Sequence, residues 1–389
     1  MKPDAFKESA PGRLVATIDG CCAFVPDALP PRRALDLEPL LMPLVAASQA
    51  LGELNGIGST MSSPYLLVRP LLRREAVASS RIEGTVTSFD QLVLFEAGMD
   101  VANEAPDANE VHNYVRALEH GIGRLSELPV CLRLMNELHA ILLEGVRDSR
   151  GAHIAPGEFR KSQNWIGARR IQDARYVPPP PQEVMPTLDA LEKYIQGDSS
   201  GTPLLVRIAL IHYQFEAIHP YPDGNGRVGR LLIPLILCEQ TTLSQPLLYL
   251  SNYFERNRDE YIDLMLEVSQ VGSWERWIEF FVRGVEQECR DTIGKIRNLQ
   301  ALRADFNQRL LRARSSVLLG KLIDQLFESP VITVPRAAKK LEISYNAAKN
   351  NLARLAQAKI VEPAALGGRH YWIAREVLDV MERETASEK

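Results

Sequence analysis

His219, Asp223, Arg227 and Arg230 fall within one short stretch, around the turn Gly224-Asn225-Gly226. His219 is the side chain there able to act as a general base near neutral pH. Asp223 offers the oxygen ligand that a hard cation such as Mg²⁺ takes. Arg227 and Arg230 are three residues apart, so on a helix they share a face. Cations at a helix N-terminus oppose its macrodipole, a placement that makes sense when a polyanion sits there. These are the parts needed to bind Mg²⁺-nucleotide phosphates and to deprotonate an attacking hydroxyl.

The flanking segments say how those parts are held. Leu204 to Ile218 places Leu204, Leu205, Ile208, Ile211, Phe215 and Ile218 at helical spacing. Pro220 and Pro222 end that helix and hold a loop. Leu231 to Cys238 is apolar on all sides, which predicts a buried helix. The turn therefore opens a helix, where free backbone N–H groups form an anion site. Gly224, Gly226 and Gly229 also satisfy G-x-G-x-x-G, but that fingerprint needs a preceding strand in a βαβ unit. A helix and a Pro-rich loop precede it here, and no Walker pattern is present.

The stretch resembles the signature of Fic proteins, H-x-F-x-[DE]-G-N-G-R-x-x-R. His219, Asp223, Gly224, Asn225, Gly226, Arg227 and Arg230 match it. Tyr221 stands where the family usually has Phe, which adds a hydroxyl that needs a partner. The resemblance implies transfer of AMP from ATP to a Ser, Thr or Tyr hydroxyl of a protein. It assigns the base to His219, Mg²⁺ to Asp223, and the nucleotide to Gly224, Asn225, Gly226, Arg227, Val228, Gly229 and Arg230. Tyr261, on a helical pattern from Arg256 to Gln270, has two readings: an adenine-contacting residue, by similarity to the corresponding Fic segment, or a core tyrosine.

A second stretch carries information. Pro70 suits the first turn of a helix and Gly84 its C-terminal cap. Glu83 is then an acid at the unfavourable end for negative charge, the mirror of the arginines at a helix start. Ser79-x-x-x-Glu83-Gly84 resembles the Fic inhibitory motif [ST]-x-x-x-E-[GN]. Glu83 paired with Arg230 would occupy the space the γ-phosphate needs.

Composition sets the outer bounds. The chain has 389 residues, 24% of them charged, and a net charge of −4, so it is no basic nucleic-acid coat. Five cysteines without C-x-x-C spacing argue for reduced thiols rather than disulfides or zinc. No H-E-x-x-H occurs, and His112, His120 and His139 read as core or surface histidines. A polar N-terminus and the lack of a long apolar run imply a cytoplasmic protein with no membrane partner.

The expected fold is mainly α. Residues 1–105 form an N-terminal helical region, irregular to 33, with a helix from Leu35 to Leu54, a turn-rich connection from Gly52 to Ser63, and the inhibitory helix at about 70–84. Residues 106–283 form a Fic-type helical core. Its short β-hairpin flap pairs Asn164–Gly167 with Arg175–Val177, and a helix begins at Pro186. By resemblance the flap receives an extended target segment by strand addition. Residues 284–313 form a connecting or dimer helix. Residues 314–389 resemble a winged helix-turn-helix: Thr333 and Ser344 cap two helices, and Gly367-Gly368 turns the wing. Asn346, Lys349 and Asn350 suit a major groove. Residues 330–389 carry ten Lys and Arg against seven Asp and Glu, a mild +3, and docking to protein stands beside DNA as a reading.

The favoured function is an autoinhibited protein adenylyltransferase using ATP and Mg²⁺. Its partner is a hydroxyl-bearing target protein, itself included, and family analogy adds a homodimer. The alternatives are AMP removal by the same site and a DNA-binding regulator that senses nucleotide.

Overall fold

The computed structural model describes residues 1–60, 65–146, 155–197, 201–311 and 317–383. The chain opens with an antiparallel hairpin, β1 (Gly12–Ala16) and β2 (Cys22–Pro26). The irregular segment expected to residue 33 is thus partly sheet. Asp19-Gly20 supplies the turn, with Gly20 at φ +72°, a hairpin signal. The Phe24 N–H donates to the Val177 carbonyl at 2.9 Å, which ties this hairpin to the flap.

Helices α1 (Leu41–Thr60), α2 (Tyr65–Ile82) and α3 (Phe89–Glu96) follow. α1 starts six residues later than expected and runs to Thr60, through most of the stretch read as a connection; residues 61–63 of that stretch lie outside the described residues. Of the glycines in α1, Gly58 allows a close approach: a Cβ there would lie 2.6 Å from Leu247 Cδ1. Leu40, Leu44 and Leu51 are buried, whereas Leu41 is 54% exposed. α2 begins five residues before Pro70, which sits inside the helix rather than in its first turn. Burial of Val68, Leu71 and Leu72 holds it in place. α3 was not anticipated, although Ser88 and Gln91 form a reciprocal capping box at its start.

Seven further helices follow among the described residues: α4 (Ala108–Arg124), α5 (Leu132–Leu142), α6 (Pro181–Gln196), α7 (Leu204–Ile218), α8 (Asn225–Glu239), α9 (Ser251–Arg256) and α10 (Arg258–Val271). α6 starts at Pro181, five residues before the expected Pro186, with proline in its first turn. α7 and α8 are buried on nearly every face. The flap is thinner than a regular hairpin: one antiparallel bridge, Ile166 to Tyr176, spans a single turn of 3₁₀-helix.

α11 (Trp274–Leu311) runs unbroken through position 283, and Trp274, Trp277, Phe280 and Phe281 are core. α12 (Val317–Glu328), β3 (Val331–Ile332), α13 (Val334–Leu341), α14 (Tyr345–Gln357), β4 (Glu362–Leu366), β5 (Arg369–Ile373) and α15 (Arg375–Glu382) complete the chain. Thr333 and Ser344 cap α13 and α14 as expected. The C-terminal sheet is antiparallel, in the order β3-β5-β4. Among the described residues no helix is long and apolar enough to cross a membrane.

Candidate active site

α7 delivers His219. Its last turn closes on the His219 N–H, which donates to the Phe215 carbonyl at 3.0 Å, and His219 itself is left-handed at φ +50°. Pro220 then prevents the helix from continuing. Arg160, buried and 59 residues upstream, locks this corner. Its guanidinium donates to the carbonyls of His219 at 2.8 Å and Ser162 at 3.0 Å, and to that of Pro179 just after the flap. Burial, then the Arg160 charge, push the His219 pKa down to about 4, against the weaker upward pull of Glu83 and Asp223. A neutral imidazole at pH 7 is free to accept a proton.

The turn after His219 is built from side chains. The Tyr221 hydroxyl donates to Asn136 Oδ1 at 2.8 Å, the partner its departure from Phe requires. Its ring stacks on His139 with centroids 3.8 Å apart. His139 accepts the Gly157 N–H on Nδ1 at 2.9 Å and donates from Nε2 to the Asp223 carbonyl at 3.0 Å. That tautomer suits a ring that burial holds neutral, with its pKa lowered to about 4. Asn225 closes the turn, accepting the Tyr221 N–H at 2.7 Å and donating to the Tyr221 carbonyl at 2.8 Å. Asp223 accepts the Gly224 N–H at 2.7 Å and remains 23% exposed. No group of three metal-ligating side chains converges among the described residues. A single accessible carboxylate suits a cation that takes its other ligands from phosphates and water, as Mg²⁺ does.

The two arginines are buried, and each meets an acid from far away in the chain. Arg227 Nη1 lies 3.0 Å from Glu110 Oε2 in α4. Arg230 donates to Glu83 Oε1 at 2.7 Å, to Ser79 Oγ at 2.8 Å and to the Ser79 carbonyl at 2.9 Å. Glu83 is the C-cap of α2. Thr85 N–H returns to the Ser80 carbonyl at 3.2 Å, and Gly84 N–H to that of Arg81 at 2.9 Å, with Gly84 at φ +97°. This is the Schellman arrangement. Burial would raise the Glu83 carboxyl, but Arg230, then Arg227 and His219, outweigh it and hold the pKa below the usual carboxylate range. Gly226 gives Glu83 room: a Cβ there would stand 2.2 Å from Glu83 Oε1.

A cavity of about 220 Å³ opens beside this pair, lined by Glu83, His219, Gly226, Arg230 and Tyr261. Ile262, Met265 and Leu266 give it an apolar wall. Asp223, Gly224, Asn225 and Arg227 shape the turn next to it. Val228 is buried in the core, and Gly229 packs against Glu216, so neither lines the cavity. The Tyr261 ring lines it, but the hydroxyl is already bonded to His212 Nε2 at 2.8 Å and the ring stacks on Phe254 at 4.4 Å. Its two readings therefore merge: it is a core tyrosine with one edge on the cavity. Glu216 was not singled out in the sequence. It lines the cavity, and burial raises its carboxyl pKa to about 8.

Residues 41–123 match the description Fic/DOC family N-terminal, and residues 129–237 match Fic/DOC family. The chain carries a Fic/DOC domain preceded by the family's N-terminal region. A probable protein adenylyltransferase of Aquifex aeolicus (strain VF5) is 27% identical over 200 residues, 51% of this chain and 56% of that protein. The protein adenylyltransferase Fic of Drosophila melanogaster is 29% identical over 160 residues, 40% of this chain and 30% of that protein. The chain thus spans about half, or less, of the length of these relatives. A Fic family protein from Desulfovibrio desulfuricans G20 shares the fold with a TM-score of 0.56 at 19% identity, over 89% of this chain and 98% of that one. The Fic/DOC match of residues 129–237 takes in the turn, His219 and both arginines, and the N-terminal match takes in Glu83 and Glu110.

Proposed function

We propose that this Fic protein is a nucleotidyltransferase that moves AMP from ATP to a side-chain hydroxyl of a protein, and that Glu83 restrains it. One observation carries the reading: Glu83 bonds Arg230 at 2.7 Å in the same cavity that holds a neutral His219. His219 takes the proton of the incoming hydroxyl. The hydroxyl oxygen attacks the α-phosphorus, the bond to the bridging oxygen breaks, and pyrophosphate leaves with its electron pair. The amides at the start of α8 and the guanidinium of Arg230 neutralise charge on the phosphates. Asp223 would hold Mg²⁺, which supplies further charge neutralisation at those phosphates. While Glu83 holds Arg230, that guanidinium is not available to a γ-phosphate. The other assignments of the signature, Gly224 to Gly229, rest on the family resemblance; of these Gly226 lines the cavity, as does the edge of Tyr261, whereas Val228 and Gly229 do not.

The target segment, by this reading, lies along the flap, where the lone Ile166–Tyr176 bridge leaves backbone groups beside His219. The C-terminal unit is read as a winged helix-turn-helix on its order of helix, turn, helix and hairpin. Its wing rests on the chain's own body, for Leu366 and Tyr371 pack on Met99, Val101 and Ala105. That favours docking to protein over DNA. Self-modification and dimerisation rest on family analogy alone.

Labelled ATP separates the chemistries. With Glu83→Gly and a cell lysate, label at the α-phosphate should enter protein and label at the γ-phosphate should not. Entry of γ-label would mean phosphoryl transfer and would overturn the reading. Release of AMP from a modified protein, without incorporation, would favour the reverse reaction.

A further inference from the structure

The segment that carries Glu83 is gripped from both sides by the C-terminal unit. Residues 83–87 join α2 to α3, and both helices are tied to residues 317–383. On α2, Arg73 is 4% exposed, donates to Glu96 of α3 at 2.7 Å and reaches the Glu328 carbonyl at the end of α12. One turn earlier, Arg69 pairs with the Glu328 carboxylate at 2.6 Å. On α3, the Glu96 carbonyl accepts Arg336 of α13 at 2.9 Å, and Asp90 pairs with Arg375 of α15 at 3.1 Å. Just beyond α3, the Gly98 carbonyl accepts Arg369 of β5 at 2.7 Å. Leu71 and Leu72 of α2 and Leu322 and Ile323 of α12 share one buried core.

We propose that the C-terminal unit is a clamp on the inhibitory segment, and that its seating on α2 and α3 sets how firmly Glu83 stays on Arg230. The proposal rests on the reading of Glu83 as inhibitory. The mechanical link is short. Arg73 precedes Glu83 by ten residues, about 15 Å along the helix axis at 1.5 Å per residue. α2 has Ser79 and Glu83 on Arg230 at one end and Arg69 and Arg73 on the C-terminal unit further back. A rigid helix held at both places moves as one body. Loosening the rear hold frees the front, because the three bonds to Arg230 need α2 and the cap at Gly84 in register. Arg336, Arg369 and Arg375 come from separate elements of the unit, so a displacement of that unit reaches α3 as well.

The test uses the full chain with Arg336→Glu and Arg375→Glu together, changes outside the catalytic machinery. Two readouts are taken: hydrogen exchange at residues 79–88 and α-labelled AMP incorporation. Exchange there should speed up while α14 and α15 keep wild-type protection, which shows that the unit itself is intact. AMP incorporation should rise by about 5- to 100-fold, the range of ordinary coupling between sites. Adding the pair to Glu83→Gly should give no further rise. Wild-type exchange at 79–88 overturns the clamp, and so does unchanged incorporation where Glu83→Gly alone is active. If Glu83→Gly incorporates nothing, the adenylyltransferase reading fails, and the exchange readout still decides the clamp. If α14 and α15 lose protection, Arg336→Gln with Arg375→Gln, which removes the bonds without reversing charge, replaces the pair and is held to the same outcomes.

Discussion

At the scale of residues, the site is a histidine kept neutral and an arginine kept occupied. Both states come from burial with particular neighbours, and they give a pH dependence of known sign. Protonated His219 cannot take a proton, so activity in Glu83→Gly should hold from pH 8 down to about 5 and fall as pH drops through about 4. Removing Glu83 removes an upward pull on His219, so the fall should lie no higher in that variant. A rate profile of AMP incorporation centred near the ordinary histidine value of about 6.5 would contradict this. Glu83 behaves in the opposite sense. Its pKa is depressed in the folded protein, so its bond to Arg230 is present above the usual carboxylate range and is lost as pH falls below it. Tyr221→Phe, which restores the common family residue, should leave Asn136 Oδ1 unpaired. It should cost about 1 kcal/mol in denaturant melts and leave nucleotide binding unchanged. The signature was legible because its parts are contiguous. The residues that hold it were not: Arg160 lies 59 positions from His219, His139 lies 84 from Asp223, and Glu110 lies 117 from Arg227. No local pattern encodes such pairings.

At the scale of elements, two helix ends face each other. The start of α8 presents amides and arginines, and the end of α2 presents a carboxylate, so each supplies what the other's dipole lacks. This complementarity was readable from two misplaced charges before any geometry. The extent of α2 was not, because its apolar packing overrides the boundary that Pro70 suggests. The hairpin β1–β2 was missed despite Asp19-Gly20, since its strands alternate weakly and one edge is completed by Val177 of the flap. The C-cap at Gly84 gives a test at this scale. Its φ of +97° disfavours a side chain, so Gly84→Ala should cost about 1 kcal/mol of stability by thermal or denaturant melting. The same change should raise AMP incorporation, because Glu83 is the residue the cap positions. Lower stability with unchanged incorporation would separate the cap from the restraint.

At the scale of the molecule, the helices that hold the Fic signature are flanked by α2, which brings Glu83 to Arg230, and by a C-terminal unit seated on α2. The boundary expected at 283 falls in the first third of α11, whose buried face continues from Trp274 into its C-terminal half. The sequence pattern did locate the capped helices and the β4–β5 hairpin of the last unit, because caps and Gly-Gly turns are local signals. It could not place that unit against α2. Chelation of divalent cations should abolish AMP incorporation at unchanged secondary structure, and added Mg²⁺ should restore it; full activity in excess chelator would remove Asp223 from its proposed role. The most direct measurement is intact-protein mass and α-label incorporation after incubation with Mg²⁺-ATP and a cell lysate, for wild type, Glu83→Gly and Glu83→Gly/His219→Ala. Incorporation of AMP units with Glu83→Gly alone, at least about tenfold above the other two, is the expected result. Equal incorporation by wild type and Glu83→Gly, or undiminished incorporation without His219, would contradict a His219-driven transfer restrained by Glu83.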